Sequence, residues 1–381
     1  MTKRIDLTAI LEEVAPKIGE QAAWLDATDG FIGENYDLLK SHGIFSALVP
    51  VEYGGGGATH AEMCAFVRGL GRACPSTALT LAMHSHLVSA AVANDRAGRP
   101  GRALLDKVAS GEVILVSTGA NDWLDSNGTA ERVDGGYRIS AIKPFASGSP
   151  KGTVIVTSCA YDDPVEGAQV LHFPVPLAAG EITLMGDWQT MGMRATGSQT
   201  VKIDGAFVPD AAVALKRPRQ GFHPVFATVV TVALPLIMSA YVGAAEAMVG
   251  IAKDKVRAEN ETMHLLMGEL INTLTAAQIA LDDMIRHCNN FDFQPSNQLA
   301  SDMMIRKTLC ATNVIAVANK AMEVAGGSSF FRKTGIERLF RDIQGARFHP
   351  LPEKRQQVFT GRLAMGLEPV EVPKPMLHAA E

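Results

Sequence analysis

Residues 187–209 read Asp187-Trp188-Gln189-Thr190-Met191-Gly192-Met193-Arg194-Ala195-Thr196-Gly197-Ser198-Gln199-Thr200-Val201-Lys202-Ile203-Asp204-Gly205-Ala206-Phe207-Val208-Pro209. The first half is rich in glycine and small hydroxyl residues, the composition of a turn. From Thr200 the apolar residues alternate with polar ones, which predicts a strand over Thr200–Val208. Pro209 ends it, because proline donates nothing to a ladder. Little here is catalytic by residue type, yet as a string the block is highly specific.

Working outward, the same period of two governs residues 111–210. Val113–Thr118, Thr153–Ala160 and Gln169–Phe173 read as strands. Arg132–Val133 and Tyr137–Ile142 flank Asp134-Gly135-Gly136, a hairpin signal. On either side the period becomes helical. Ile5–Ala23 and Ala61–Leu70 carry helical apolar spacing, and Thr77–Val92 is an apolar run. Downstream, Met304, Thr308, Ala311, Ile315, Ala318, Met322 and Ala325 form one stripe, and Gly326-Gly327 ends that helix. The four glycines after Tyr53 make a turn and lack dinucleotide-fingerprint spacing. The expected fold class is α+β: an N-terminal all-α domain (1–110), a middle antiparallel β-domain (111–215) and a C-terminal helical, four-helix-bundle domain (216–381).

The 381 residues suffice for several cores. Hydrophobic residues make up 47% and charged ones 20%, with a net charge of −5. Nothing in that balance suggests a polyanion-binding surface, so no nucleic-acid partner is expected. The five cysteines are widely spaced without a CxxC pair, which argues against zinc and disulfide frameworks and for a reducing, cytoplasmic setting. The first residues contain no apolar signal segment. Pro224–Ala245 has no charged residue and is long enough to span a bilayer. Its internal Pro235, Ser239 and Tyr241 favour the buried central helix of a soluble domain instead, so no membrane span is expected.

Five blocks in order resemble the acyl-CoA dehydrogenase superfamily. They are Leu48-Val-Pro-Val-Glu-Tyr53-Gly-Gly, Gly136-Tyr-Arg-Ile-Ser-Ala-Ile-Lys143-Pro-Phe145-Ala-Ser147-Gly148, Gly192–Pro209, Met322-Glu-Val-Ala-Gly326-Gly327 and Glu337-Arg-Leu-Phe-Arg341-Asp342. The resemblance covers nearly the whole chain and implies the helical, β, helical architecture, a homotetramer, and FAD as cofactor, or reduced FMN or FAD as co-substrate. It implies that Ser147 reaches the flavin N5 edge, that Phe145 replaces a tryptophan against the ring, and that Thr118 meets the other ring edge. Gly326 and Gly327 would let backbone approach the dinucleotide closely.

The same resemblance leaves the reaction divided. Many dehydrogenases of the family place a glutamate eight residues after the Asp of Arg-Asp, to remove the α-proton of an acyl thioester. Here that position is Pro350, which transfers no proton. Glu261 matches an alternative family position by ungapped counting from Gly243, and Glu246 is a further acid. His349 stands about where the flavin monooxygenases of this superfamily carry a histidine that works near flavin C4a and N5, and their Gly-Met-Arg-x-Thr-Gly-Ser resembles Gly192–Ser198.

Dehydrogenation is the commoner reaction in this superfamily, so the leading expectation is dehydrogenation of an acyl-CoA by a flavoprotein with Glu261 as base and an electron-transfer partner. The alternative is a two-component monooxygenase using reduced flavin from a flavin reductase, O2 and a small organic substrate, with His349 in the site. A third is a non-catalytic relative that binds no flavin. His84 and His86, two apart on a helix, point to different sides and make a poor metal pair; packing or caps are expected of them, although one could reach the substrate pocket. Lys216-Arg217-Pro218-Arg219 is expected to be a solvated linker.

Overall fold

The structure, a computed structural model, describes residues 4–118, 124–256 and 261–371. Five helices come first: α1 (Leu7–Ala27), α2 (Gly33–Ser41), α3 (His60–Ala73), α4 (Pro75–Arg96) and α5 (Arg102–Ala109). Eight strands follow: β1 (Leu115–Ser117), β2 (Thr129–Val133), β3 (Gly136–Ala146), β4 (Val154–Asp163), β5 (Gly167–Pro176), β6 (Ile182–Leu184), β7 (Gln199–Pro209) and β8 (Leu215–Pro218). The chain closes with α6 (Val225–Lys253), α7 (Glu261–Cys288), α8 (Asn297–Ala325), α9 (Ile336–Ile343) and α10 (Glu353–Ala364). The architecture is a helical N-terminal domain, a middle sheet domain and C-terminal helices.

Local chemistry sets the helix starts. Asp6 accepts from the amides of Thr8 and Ala9 at the head of α1. Thr59 and Glu62 form a reciprocal capping box on α3. Pro75 opens α4, where its missing N–H costs nothing. α8 stops at Gly326, whose φ of +58° suits glycine.

α6 is the hub of the molecule, packing against α3, α4, α7, α8 and α9. It is the one helix among the described residues long and apolar enough to cross a membrane, and 89% of its apolar window is buried inside the protein. Its approach to α3 is close enough to demand glycine. A Cβ on Gly243 would lie 2.1 Å from the Arg68 carbonyl, and one on Gly71 would lie 2.5 Å from the Ala240 carbonyl.

The strands form two four-stranded sheets, in the orders β1-β4-β5-β8 and β2-β3-β7-β6. The expected hairpin joins β2 to β3, with Val133 opposite Gly136. One pairing departs from the antiparallel expectation: β1 runs parallel to β4. It arrives from the helical domain on the outer edge of the sheet, with no hairpin to reverse it. β8 extends its sheet to Pro218, past the boundary expected at 215, and carries part of the stretch read as a solvated linker. Arg217 is fully buried there and its Nε donates to His172 Nε2 at 3.0 Å.

Candidate functional site

A cavity of about 760 Å³ opens where α4, α6, the middle sheets and the segment after α9 meet. One wall is apolar, made by Leu79, Met83 and Leu87 of α4 and by Val230, Leu234 and Ile237 of α6. The facing wall is hydroxylic. Ser147 Oγ lies 2.7 Å from Ser198 Oγ, which lies 2.6 Å from Thr196 Oγ1. Thr118 Oγ1 donates to Thr157 Oγ1 at 2.7 Å. These hydroxyls are fixed against each other, so each retains capacity to donate or accept toward the cavity.

Phe145 stands at the mouth. The β3–β7 ladder shifts register between Lys143 and Ala146, and Phe145 adopts φ +61°, which turns its ring out of the sheet. The ring meets Trp188 edge-to-face at 6.1 Å. Trp188 is held by its Nε1, which donates to the Met193 carbonyl at 3.1 Å.

The Gly192–Ser198 turn is locked to α9. A Cβ on Gly192 would sit 2.3 Å from the Arg341 carbonyl, so only glycine allows this contact. Asp342 accepts from the Met193 amide at 2.5 Å. Burial pushes the Asp342 carboxyl up to about 6. Arg341 is gripped by Asp26 and Glu337. The two sequence blocks that carry this turn and Arg341-Asp342 are thus one structural unit.

His349 faces the cavity beside Pro350. Its Nε2 lies 2.7 Å from the hydroxyl of Tyr241, a buried α6 residue. Burial, aided by the charge of Lys307, pushes the His349 imidazole down to about 3, so it is neutral at physiological pH. Burial raises the Tyr241 phenol well above its ordinary range. The phenol therefore keeps its proton, and the pair shares one hydrogen bond between the hydroxyl and Nε2.

The paired histidines of α4 separate as their spacing requires. His84 is structural: Nε2 meets the Phe45 carbonyl at 2.9 Å and Nδ1 accepts from the Leu115 amide at 2.9 Å. His86 lines the cavity, is 8% exposed and has no hydrogen-bond partner among the described residues. Burial pushes it down to about 4, so it too is neutral.

Thr118, Phe145, Ser147 and His349 are thus brought together around one cavity. Glu261, Gly326 and Gly327 are not. Glu261 is exposed on the first turn of α7, and the two glycines are exposed beyond α8. Glu246 is an ion-pair residue, held by Arg68, Arg72 and Gln278. Among the described residues, no aspartate or glutamate lines the cavity. Trp188, Tyr241 and His172 also line it and were not singled out from sequence. Tyr241 was visible only as a polar interruption in an apolar run.

The donor set suits a flavin. Paired hydroxyls, an aromatic pair at the mouth and an apolar interior match a large heteroaromatic ring with polar edges. No group of metal-ligating side chains exists among the described residues.

Comparison with known proteins agrees. The N-terminal domain model of acyl-CoA dehydrogenase matches residues 8–112 and the C-terminal domain model matches 236–352. The chain is 26% identical to isobutylamine N-hydroxylase of Streptomyces viridifaciens, over 82% of this chain and 84% of that protein. It is 22% identical to the oxygenase component of p-hydroxyphenylacetate 3-hydroxylase of Acinetobacter baumannii, over 94% and 89%. Acyl-CoA dehydrogenases are among its relatives as well. The solved structure of KijD3 in complex with FMN and a dTDP-amino-keto sugar superposes with a TM-score of 0.86 at 24% identity, covering 95% of this chain and 93% of that one. The chain is an oxidoreductase-type flavoprotein that belongs to the acyl-CoA dehydrogenase superfamily.

Proposed function

We propose that this protein is the oxygenase of a two-component flavin monooxygenase, taking reduced flavin from a separate reductase and acting on a small, neutral, largely apolar substrate. The observation that carries the reading is the cavity itself. It presents His349 and Pro350 where a thioester dehydrogenase needs a carboxylate base, and no described residue lining it supplies one. The dehydrogenase expectation rested on how common that reaction is in the family. The hydroxylase and oxygenase relatives support the alternative.

Reduced flavin, when bound, supplies the electrons that let one atom of O2 enter the substrate while the other leaves as water. The chain's own residues do the rest. Ser147, Ser198 and Thr196 orient the ring edge by hydrogen bonding. The α4 and α6 side chains exclude water, which suppresses unproductive release of H2O2. His349, neutral and held by Tyr241, places a hydrogen-bonding imidazole at the reacting end.

His86 faces the apolar wall as an isolated polar group and receives the substrate's single hydroxyl, N–H or carbonyl. The absence of a described acid in the lining disfavours a substrate bound as a cation. The exposed Leu265 and Ile279 of α7 give the helical domain an apolar surface for the homotetramer in the same reading.

The deciding experiment supplies enzymatically reduced FMN and, separately, FAD in air with a panel of phenols, heteroaromatics and amines, and measures oxygenated product by mass spectrometry. In parallel, the flavin-loaded protein is titrated anaerobically with acyl-CoA thioesters. Product in the first arm and an unbleached flavin in the second support the reading. Thioester-driven bleaching overturns it.

A further inference from the structure

Lys307 sits in the middle of α8, on its core-facing side between Met304 and Ala311, and is 1% exposed. Such a position is ordinarily apolar, because burying an ammonium is costly unless its donors are satisfied. Its Nζ donates to the backbone carbonyls of His349 at 2.7 Å and Leu351 at 3.0 Å. Among the described residues, no ion pair to an acid accompanies these bonds. Both acceptors belong to the one segment that carries His349, and they lie on either side of Pro350.

We propose that Lys307 is a positioning residue that holds His349 over the cavity by gripping the backbone on both sides of Pro350. The proposal rests on the monooxygenase reading for its consequence but not for its geometry. The imidazole is then fixed from two helices. α8 fixes the backbone through Lys307, and α6 fixes the ring through Tyr241, whose hydroxyl meets Nε2 at 2.7 Å.

Neither contact alone suffices. The ring bond leaves the segment free to pivot, and the carbonyl bonds leave the ring free to rotate about its own side-chain torsions. Together they set the ring within the narrow tolerance that a reacting group needs. A lysine suits this use because three donors on one flexible stem can serve two carbonyls that do not lie in one plane. Burial lowers the Lys307 ammonium to about 8, so at neutral pH it remains mostly charged and its bonds to the carbonyls are charge-assisted.

The test reads His349 directly, in the flavin-free full-length protein. Diethyl pyrocarbonate modification of each histidine is followed by peptide mass spectrometry in wild type, Lys307→Met and Lys307→Arg. His84, with both ring nitrogens bonded in the core, is the internal control. In Lys307→Met, which removes both bonds, His349 is expected to react at least about tenfold faster, tenfold being the scale of losing one hydrogen bond to a charged group, while His84 is unchanged. Lys307→Arg retains the donors and retains protection. Should the methionine variant not fold, Lys307→Gln, with its single amide donor group, is read the same way. A folded Lys307→Met or Lys307→Gln variant whose His349 reacts at the wild-type rate overturns the proposal.

A second readout uses the enzyme at work. H2O2 released per reduced flavin should rise in Lys307→Met, and the double variant Lys307→Met/His349→Ala should leak no more than His349→Ala alone, since both act through one ring. Fully additive leaks overturn the proposal. If the wild type oxygenates nothing, the functional reading fails, while the modification experiment still decides the role of Lys307.

Discussion

Tyr241 and His349 are 108 residues apart in sequence and share a 2.7 Å hydrogen bond at the edge of the cavity. The bond joins the largely buried helix α6 to the segment that carries His349 and Pro350.

Removing the ring should cost most. His349→Ala is expected to lower oxygenated product per reduced flavin by about 100-fold, in the range of a lost acid–base group. Tyr241→Phe should lower it by only about fivefold, the value of one neutral hydrogen bond. Coupled product and H2O2 assays check both, and equal losses would mean that the phenol does more than orient the ring.

Gly345 has no room for a side chain. A Cβ there would lie 2.7 Å from the Tyr241 hydroxyl. Gly345→Ala should therefore displace that hydroxyl, reproduce the Tyr241→Phe leak and destabilise the fold by about 1–3 kcal/mol, as over-packing does. Chemical denaturation and the leak assay measure the two effects.

His86→Leu should leave flavin binding intact and weaken the substrate. The expected signature is a KM rise of about tenfold, corresponding to one unpaired polar group, with the leak at saturating substrate unchanged. A fall in flavin affinity instead would place His86 on the cofactor side.

Histidines held below their ordinary value predict the acid limb of stability. His84 and His86 are held near 4 and His349 near 3, against an ordinary value of 6.5. A depressed histidine stabilises the fold fully above 6.5, and this contribution is lost as pH falls toward the folded value, because the unfolded chain binds the proton first. Asp342, raised to about 6, works the other way: its contribution is present below 3.8 and lost as pH rises through 6. The histidines outnumber it, so Tm should fall between pH 6.5 and 4. His349→Gln should make that fall shallower.

Glu261→Gln should change nothing. The residue is exposed and outside the cavity, and surface substitutions of this kind stay within about 0.5 kcal/mol. The same flavin spectrum and product yield as wild type are expected, and a loss of product yield in the folded variant would return Glu261 to the site.

Particular residues mark where the sequence was legible. The alternation through Thr200–Val208 and the Asp134-Gly135-Gly136 turn correctly announced β7 and the β2–β3 hairpin, since both signals are local. The parallel pairing of β1 was not announced, because direction between distant strands depends on how the chain returns. The α8 stripe was read as Met304, Thr308, Ala311, Ile315, Ala318, Met322 and Ala325. Met304, Ala311, Ala318 and Ala325 are buried as read, whereas Thr308, Ile315 and Met322 are only half-buried, and the buried row also takes in Ala300, Lys307, Val314 and Ala321. A lysine in that row looks like a solvent-facing interruption until its two carbonyl partners are seen.

By itself the sequence determined the family, the order of its helical and sheet regions and the placing of His349 next to Pro350. Those are properties of residue type and local spacing, which a string preserves. Only the tertiary structure decided which candidates share a space. It gathered Thr118, Phe145, Ser147 and His349 around one cavity, left Glu261 in solvent, separated His84 from His86, and bonded Tyr241 to His349. Those outcomes depend on how α4, α6 and α8 pack against the sheets, and packing is set by contacts between residues that sequence separation conceals.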